Sequence, residues 1–403
     1  MLKFSDFATV FYLKEIEGVL IFAYTMINHN RNMKLNSLLI LLLFCPFFFK
    51  ATVIPFELIE GKIVLNVTIQ NDQHHFIFDT GAFTIISDEL KDKINAKKSN
   101  IIFEGIDANN AKSKMDVFTI NTLKVADLSI KNVNFSFADI SWMSSRACKK
   151  ISGILGANMM KDKVWQINFK NKTLTISDKI ENASSLSSVI VPFTEQHFTG
   201  VPKIEVKIRG QVLDYVFDTG SGMSFSLTQQ SYNKIKDHDF LTFEGLLAQS
   251  LNSISKGEKQ VDFMEVQIGN VNIGNQIIDS SLEATNLLGT KFMENYLVVL
   301  DCINKKIILY PNSIQPEYNS FGVSFAVNKD ALIIVNKLQI PQLSELTLAE
   351  KIIKINDIDV SRVNNETFCG IKKMMDEVKT ITIENESHKK FTLEKKNILQ
   401  LLN

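Results

Sequence analysis

From Lys62 the chain reads "KIVLNVTI", and from Lys203 "KIEVKI", each alternating apolar and polar positions with a period of two. That period predicts half-buried strands, and the "NDQ" and "RGQ" that follow are turn material closing each strand onto a partner. The partners end in apolar runs, "HFIFD" and "DYVFD", whose aromatic and β-branched residues predict strands entering a core. Ser87 and Thr228 stand as caps for short helices in "SDELKDKINA" and "TQQSYNKIKDH". A second short helix is expected after each of Ile154-Leu155-Gly156 and Leu287-Leu288-Gly289, leading into hairpins closed by "NFKNKTL" and "DCINKKI". Further on, "FGVSFAVNKDALIIVNKL" reads as two strands, and "LTLAEKIIKINDIDV" as a turn or helix, a strand and a tight turn. "CGIKKMMDEV" reads as an amphipathic helix, and "KTITIE" with "KKFTLEKK" as a hairpin.

These elements occur twice. The stretch beginning at Val53 and ending in Asp-Thr-Gly-Ala is paralleled by one beginning at Val189 and ending in Asp-Thr-Gly-Ser. Ile151–Ser177 is likewise paralleled by Ala284–Pro311. Two motif pairs in one order at nearly one offset indicate a duplicated domain. Ser-rich Asn182–Ser188 is a natural linker between the copies, and Tyr310–Tyr318, with two prolines, a second one. The resulting division is an N-terminal extension with a signal-like segment over 1–51, a first copy over 52–182, a second over 189–312, and a third unit over 320–396.

Composition narrows the function. Of 403 residues, 44 are Lys or Arg and 44 Asp or Glu, with no basic stripe, so nucleic acid is not expected as a partner. "MKLNSLLILLLFCPFFFKA" from Met33 has a Lys and an apolar run from Leu38 to Phe49, the pattern of a secretory signal. Export is therefore expected (periplasm, cell surface or medium), with an uncleaved membrane anchor as the alternative. Beyond it lie Cys148, Cys302 and Cys369 with no metal spacing, which leaves room for one disulfide or three separate thiols. His74 and His75 are adjacent in a strand and point to opposite faces, so no metal and no cofactor is expected. A hydrolase elbow, a phosphate loop and a nucleotide fingerprint are all missing.

The chemistry lies in Asp79-Thr80-Gly81-Ala82 and Asp218-Thr219-Gly220-Ser221. Two carboxylates brought together cannot both ionise cheaply, so one proton is shared. The ionised acid can take a proton from a water held between them, while the protonated acid hydrogen-bonds the carbonyl under attack. Gly81 and Gly220 permit tight turns, and the hydroxyls of Thr80 and Thr219 could bridge the loops.

The duplicated hydrophobic-hydrophobic-Asp-Thr-Gly-small motif, with a hydrophobic-hydrophobic-Gly turn downstream in each copy, resembles aspartic proteases of the retropepsin and pepsin type over about residues 53–312. The resemblance implies a mainly β fold, two duplicated acid-protease β-barrel lobes with a cleft between them. It implies Asp79 and Asp218 as catalytic acids, with Thr80, Gly81, Ala82, Thr219, Gly220 and Ser221 as loop support and Gly156 and Gly289 in bracing turns. Phe83 departs from the small residue often found there, and no Tyr lies between Tyr24 and Tyr215 to serve a pepsin-type flap. Flap candidates are Phe103–Phe118 and Phe243–Phe263. "LTLAEKIIKINDIDVSRVN" resembles PDZ-like domains of bacterial proteases, implying a small α+β domain that takes a peptide near "FGVSF". The expected function is an exported aspartic endopeptidase, a monomer binding a peptide or protein substrate in the inter-lobe cleft. A catalytically silent peptide-binding protein of the same fold is the alternative.

Overall fold

The computed structural model describes residues 12–16, 19–23, 51–106, 111–180, 188–236, 240–250, 253–281, 285–312 and 317–401. The chain divides into two units, Met1–Phe49 and Lys50–Asn403. In the first, strands Tyr12–Ile16 and Val19–Ala23 pair antiparallel. The signal-like run Leu38–Phe49 lies outside the described residues, as do most of the linker Asn182–Ser188 and residues 313–316 of the second linker. No described helix is long and apolar enough to cross a membrane.

The second unit is mainly β. Its first lobe is an eight-stranded sheet ordered Glu57–Ile59, Lys62–Ile69, Asp72–Asp79, Gly153–Gly156, Ile85–Ser87, Leu128–Ala138, Lys112–Val125 and Lys97–Ile106. Thr68 pairs with Lys124, closing the sheet into a barrel. The second lobe repeats the order with Thr194–Glu195, Pro202–Ile208, Gln211–Phe217, Leu287–Leu288, Phe225–Thr228, Val271–Ser281, Ile254–Ile268 and Leu241–Gln249. It closes where Val206 pairs with Ile268. The period-two reading holds: Ile63, Leu65, Val67 and Ile69 are at most 2% exposed. Val64, on the opposite face, is buried too, because Ile77, Ile85 and Ile154 cover it.

The expected caps are present. Ser87 accepts from Glu89 N–H at the head of a short 3-10 turn, Asp88–Leu90, and Thr228 accepts from Ser231 N–H above helix Gln229–Tyr232. The two hairpins read after the Gly turns also form, but they pair with each other. Val164–Asn168 runs antiparallel to Tyr296–Asp301, in a six-stranded sheet ordered Val189–Pro192, Lys306–Pro311, Tyr296–Asp301, Val164–Asn168, Thr173–Ser177 and Thr52–Pro55. This sheet belongs to both copies and fastens one lobe to the other. Trp165, fully buried in it, donates to the Met160 carbonyl at 2.9 Å and packs its ring 5.5 Å from that of Phe78.

Strands Val323–Asn328, Ala331–Leu338, Lys351–Ile355, Thr380–Asn385 and Lys390–Glu394, with helix Asn365–Glu377, enclose a third core around Leu332, Ile352, Ile371 and Ile383. The chain continues in order past 396, ending in a 3-10 turn, Ile398–Leu401, whose Leu401 packs on that core. The third core is tied to both lobes. Ala331–Leu338 pairs antiparallel with Leu241–Gln249 of the second lobe, Gly245 opposite Asn336. Cys369 in the helix is disulfide-bonded to Cys148, at the end of the first-lobe helix Ser141–Ala147, with Cα atoms 5.6 Å apart. Of the pairing options open in the sequence, the structure thus takes one disulfide and leaves Cys302 as a buried thiol.

A cross-link closing so long a loop restricts the unfolded chain and contributes about 2–4 kcal/mol. Replacing Cys148 and Cys369 together by Ser should lower the unfolding free energy by that amount in denaturant titrations under oxidising conditions. Equal stability of parent and variant would refute the tether.

Candidate active site

Each Asp-Thr-Gly lies where an apolar strand runs out. Asp79 ends Asp72–Asp79 and Asp218 follows Gln211–Phe217. The three residues before each acid (Phe76, Ile77, Phe78 and Tyr215, Val216, Phe217) are no more than 5% exposed. Both strand ends are held by parallel neighbours. Asp79 pairs with Gly156, and Asp218 N–H donates to the Leu288 carbonyl at 2.9 Å. The glycines of those neighbours are needed for contact. A Cβ on Gly156 would stand 2.5 Å from the Ala82 carbonyl oxygen, and one on Gly289 2.6 Å from that of Ser221.

The two loops then lock reciprocally. Thr80 Oγ1 donates to the Phe217 carbonyl at 2.5 Å and accepts from Thr219 N–H at 3.0 Å. Thr219 Oγ1 donates to the Phe78 carbonyl at 2.8 Å and accepts from Thr80 N–H at 3.0 Å. Both threonines are fully buried, so a lost hydroxyl strands a donor and an acceptor without water, at about 1–3 kcal/mol for each orphaned group.

This lock presses each acid onto the opposite glycine. A Cβ on Gly81 would fall 2.5 Å from the Asp218 carboxyl carbon, and one on Gly220 would fall 2.4 Å from that of Asp79. The two carboxyls share a hydrogen bond. Asp79 accepts one backbone bond, from Gly81 N–H at 2.8 Å. Asp218 accepts two, from Gly220 N–H at 2.8 Å and Ser221 N–H at 3.2 Å. Burial raises both carboxyls, and the neighbouring Asp218 charge pushes Asp79 well above the usual carboxylate range. The hydrogen bond from Asp79 and the two amides hold Asp218 lower. The pair therefore shares one proton, and the second amide on Asp218 favours the charged form of that acid.

Lys62 also faces the pair. Burial and the charge of Arg146 pull its ammonium down, while Glu60 and the two acids oppose them. Its place depends on tertiary docking. The Glu60-Gly61 turn that carries it lies against the second loop, where Thr290 Oγ1 donates to the Gly61 carbonyl and a Cβ on Gly61 would stand 2.9 Å from Gly222 Cα. Nothing in the local pattern around Lys62 announces this.

Above the acids opens a cavity of about 550 Å³. Both flap candidates border it: the first-lobe hairpin through Phe103 and Met115, the second through Gln249, Ser255 and Lys259. The tip of the first hairpin, 107–110, lies outside the described residues. Phe83, odd in the sequence, is 6% exposed and packs its ring 5.2 Å from Phe103 and 5.3 Å from Phe198, making an aromatic wall.

Residues 65–159 match the family described as Aspartyl protease. The match contains Asp79, Thr80, Gly81 and Gly156, while Asp218 lies beyond it. No curated protein matches. Among solved structures, the aspartic proteinase from Irpex lacteus is similar with a TM-score of 0.44 and 13% identity, covering 66% of this chain and 98% of that one.

The raised Asp79 predicts a pH dependence of folding. The native state holds a proton that the unfolded chain releases in the ordinary carboxylate range. Its contribution is complete below that range and is lost as pH rises through the raised pKa. Asp79→Asn should thus gain stability relative to the parent as pH goes from acid to neutral in denaturant titrations. A constant difference between the two proteins across pH would contradict the assignment.

Proposed function

We propose that this protein is an aspartic endopeptidase that hydrolyses peptide bonds with a water activated between Asp79 and Asp218. The observation that carries this reading is the buried, hydrogen-bonded carboxyl pair lining a cavity of about 550 Å³. Asp218, with two amide donors, acts as the base that takes the proton of the water. Asp79 donates its proton to the carbonyl oxygen as the new C–O bond forms, giving a gem-diol. Asp218 then gives its proton to the amide nitrogen while Asp79 takes one from a gem-diol hydroxyl, so the carbonyl re-forms, the C–N bond breaks to acid and amine, and the pair is regenerated. Thr80, Thr219, Gly81 and Gly220 keep the acids at this separation, while Ala82, Ser221, Gly156 and Gly289 hold the loops beneath them. Both acids come from one chain, so a monomer is complete, and no cofactor enters.

We place the enzyme outside the cytoplasm. The Cys148–Cys369 disulfide fits an oxidising compartment, in keeping with the signal-like segment from Met33. We read the unit over 320–396 as PDZ-like. Val323–Asn328, which pairs on one side with Ala331–Leu338, offers its other edge to a peptide ligand.

The test uses the parent, Asp79→Asn and Asp218→Asn on a mixed peptide library from acidic to neutral pH. The parent should cleave, and each variant should lose roughly 10²–10⁴-fold or more. A folded parent that binds peptides without cleaving them would favour the silent peptide-binding protein, and loss in only one variant would break the shared mechanism.

A further inference from the structure

The two walls of the cavity occupy equivalent positions in the repeated lobes but differ in chemistry. In the first lobe, Ile85 sits opposite Ile154 in the strand that follows the acid turn. The equivalent residue of the second lobe, opposite Leu287, is Ser226. Around Ile85 the wall is apolar, with Ile77, Ile154, Met115 and Met143. Ser226 instead has Asp279 beside it in the parallel strand Val271–Ser281, and both face the cavity with Lys259 and Ser255. Duplication put the same frame on both sides of the acids, and the side chains have diverged from it.

The second wall is an incomplete polar site. Asp279 is 2% exposed, its carboxyl is hydrogen-bonded by the Ser226 hydroxyl, and the ammonium of Lys259 lies 3.6 Å away as its ion-pair partner. Its Oδ2 has no hydrogen-bond partner among the described residues, nor does the hydroxyl of Ser255, which is 8% exposed. Buried polar atoms are rarely left so, and these line the space a substrate would fill. The unmet groups sit beside a neutral pair of charges. A cationic side chain would add a second cation, a carboxylate a second anion, and an aliphatic one would leave the atoms dry. A primary amide does neither: its N–H donates to the carboxylate while its carbonyl accepts from the ammonium.

Resting on the protease reading above, we propose that the second-lobe wall is a specificity subsite in which Asp279 and Lys259 together bind the side-chain amide of a Gln or Asn. The first-lobe wall takes a large apolar side chain, so the preferred substrate is asymmetric about the bond that is cut.

The experiment has two arms. In the first, cleavage sites in a peptide library are mapped for the parent. Gln or Asn should be enriched on one side of the cut and large apolar residues on the other. The second arm needs no catalysis. Reduced-amide peptides carry Phe on one side of the isostere and Gln, Leu, Glu or Arg on the other, in both orders, and their binding is measured by calorimetry. The Gln peptide should bind at least about tenfold more tightly than the other three in one order. The double variant Lys259→Met/Asp279→Leu replaces a buried ion pair with apolar groups of similar size, an exchange that folds commonly tolerate. With its melting transition checked, it should reverse the preference to Leu. Equal binding of Gln and Leu, or an unchanged preference in the double variant, overturns the subsite. A parent that binds the Gln peptide selectively but cleaves nothing overturns the catalytic reading and leaves the subsite standing.

Discussion

Everything at the centre of this molecule hangs on four hydrogen bonds between two threonines and the loops facing them. Thr80 and Thr219 each spend their hydroxyl twice, accepting an N–H and donating to a carbonyl across the junction. The exchange is reciprocal, so neither loop can shift without breaking both sets. Because both threonines are fully buried, the broken groups find no water to replace the loss. The consequence is electrostatic: two carboxyls are held closer than their charges would choose, and one keeps its proton.

The larger architecture serves this contact. Barrel closure sets each acid at the end of a strand buried on both faces, and the Gly156 and Gly289 strands brace the turns from below. The six-stranded sheet fixes the lobes to each other, with Trp165 packed against Phe78. The C-terminal core then ties the rim of each lobe, by strand pairing to the second and by the disulfide to the first. Glu60 joins in, with ion pairs to Arg146 of the first lobe and Lys372 of the C-terminal helix. Burial pushes the Glu60 carboxyl up, but these two cations outweigh it and leave it below the usual range.

What the sequence makes legible follows the range of the forces involved. Period-two alternation at Lys62–Ile69 and Lys203–Ile208, caps at Ser87 and Thr228, and the duplication itself are local or repetitive, so they can be read directly. The Asp-Thr-Gly turns are legible for the same reason. Pairing between the two hairpins is not, since their alternation specifies a strand and leaves the partner open. Lys62 and Phe83 are similar cases: one reaches the acids only because its turn docks on the second lobe, the other is an outlier until Phe103 and Phe198 come to meet it. The Cys148–Cys369 bond depends on where the C-terminal helix lands. Asp279 looks like an ordinary strand-end acid until Ser226 and Lys259 are beside it.

Asp79 and Asp218, sharing a proton, should titrate as one group. Carboxyl ¹³C chemical shifts of the two residues, followed from strongly acid to alkaline pH, measure this most directly. The two curves should be coupled, with one proton of the pair retained well above the usual carboxylate range. Two independent transitions at ordinary aspartate values would contradict it.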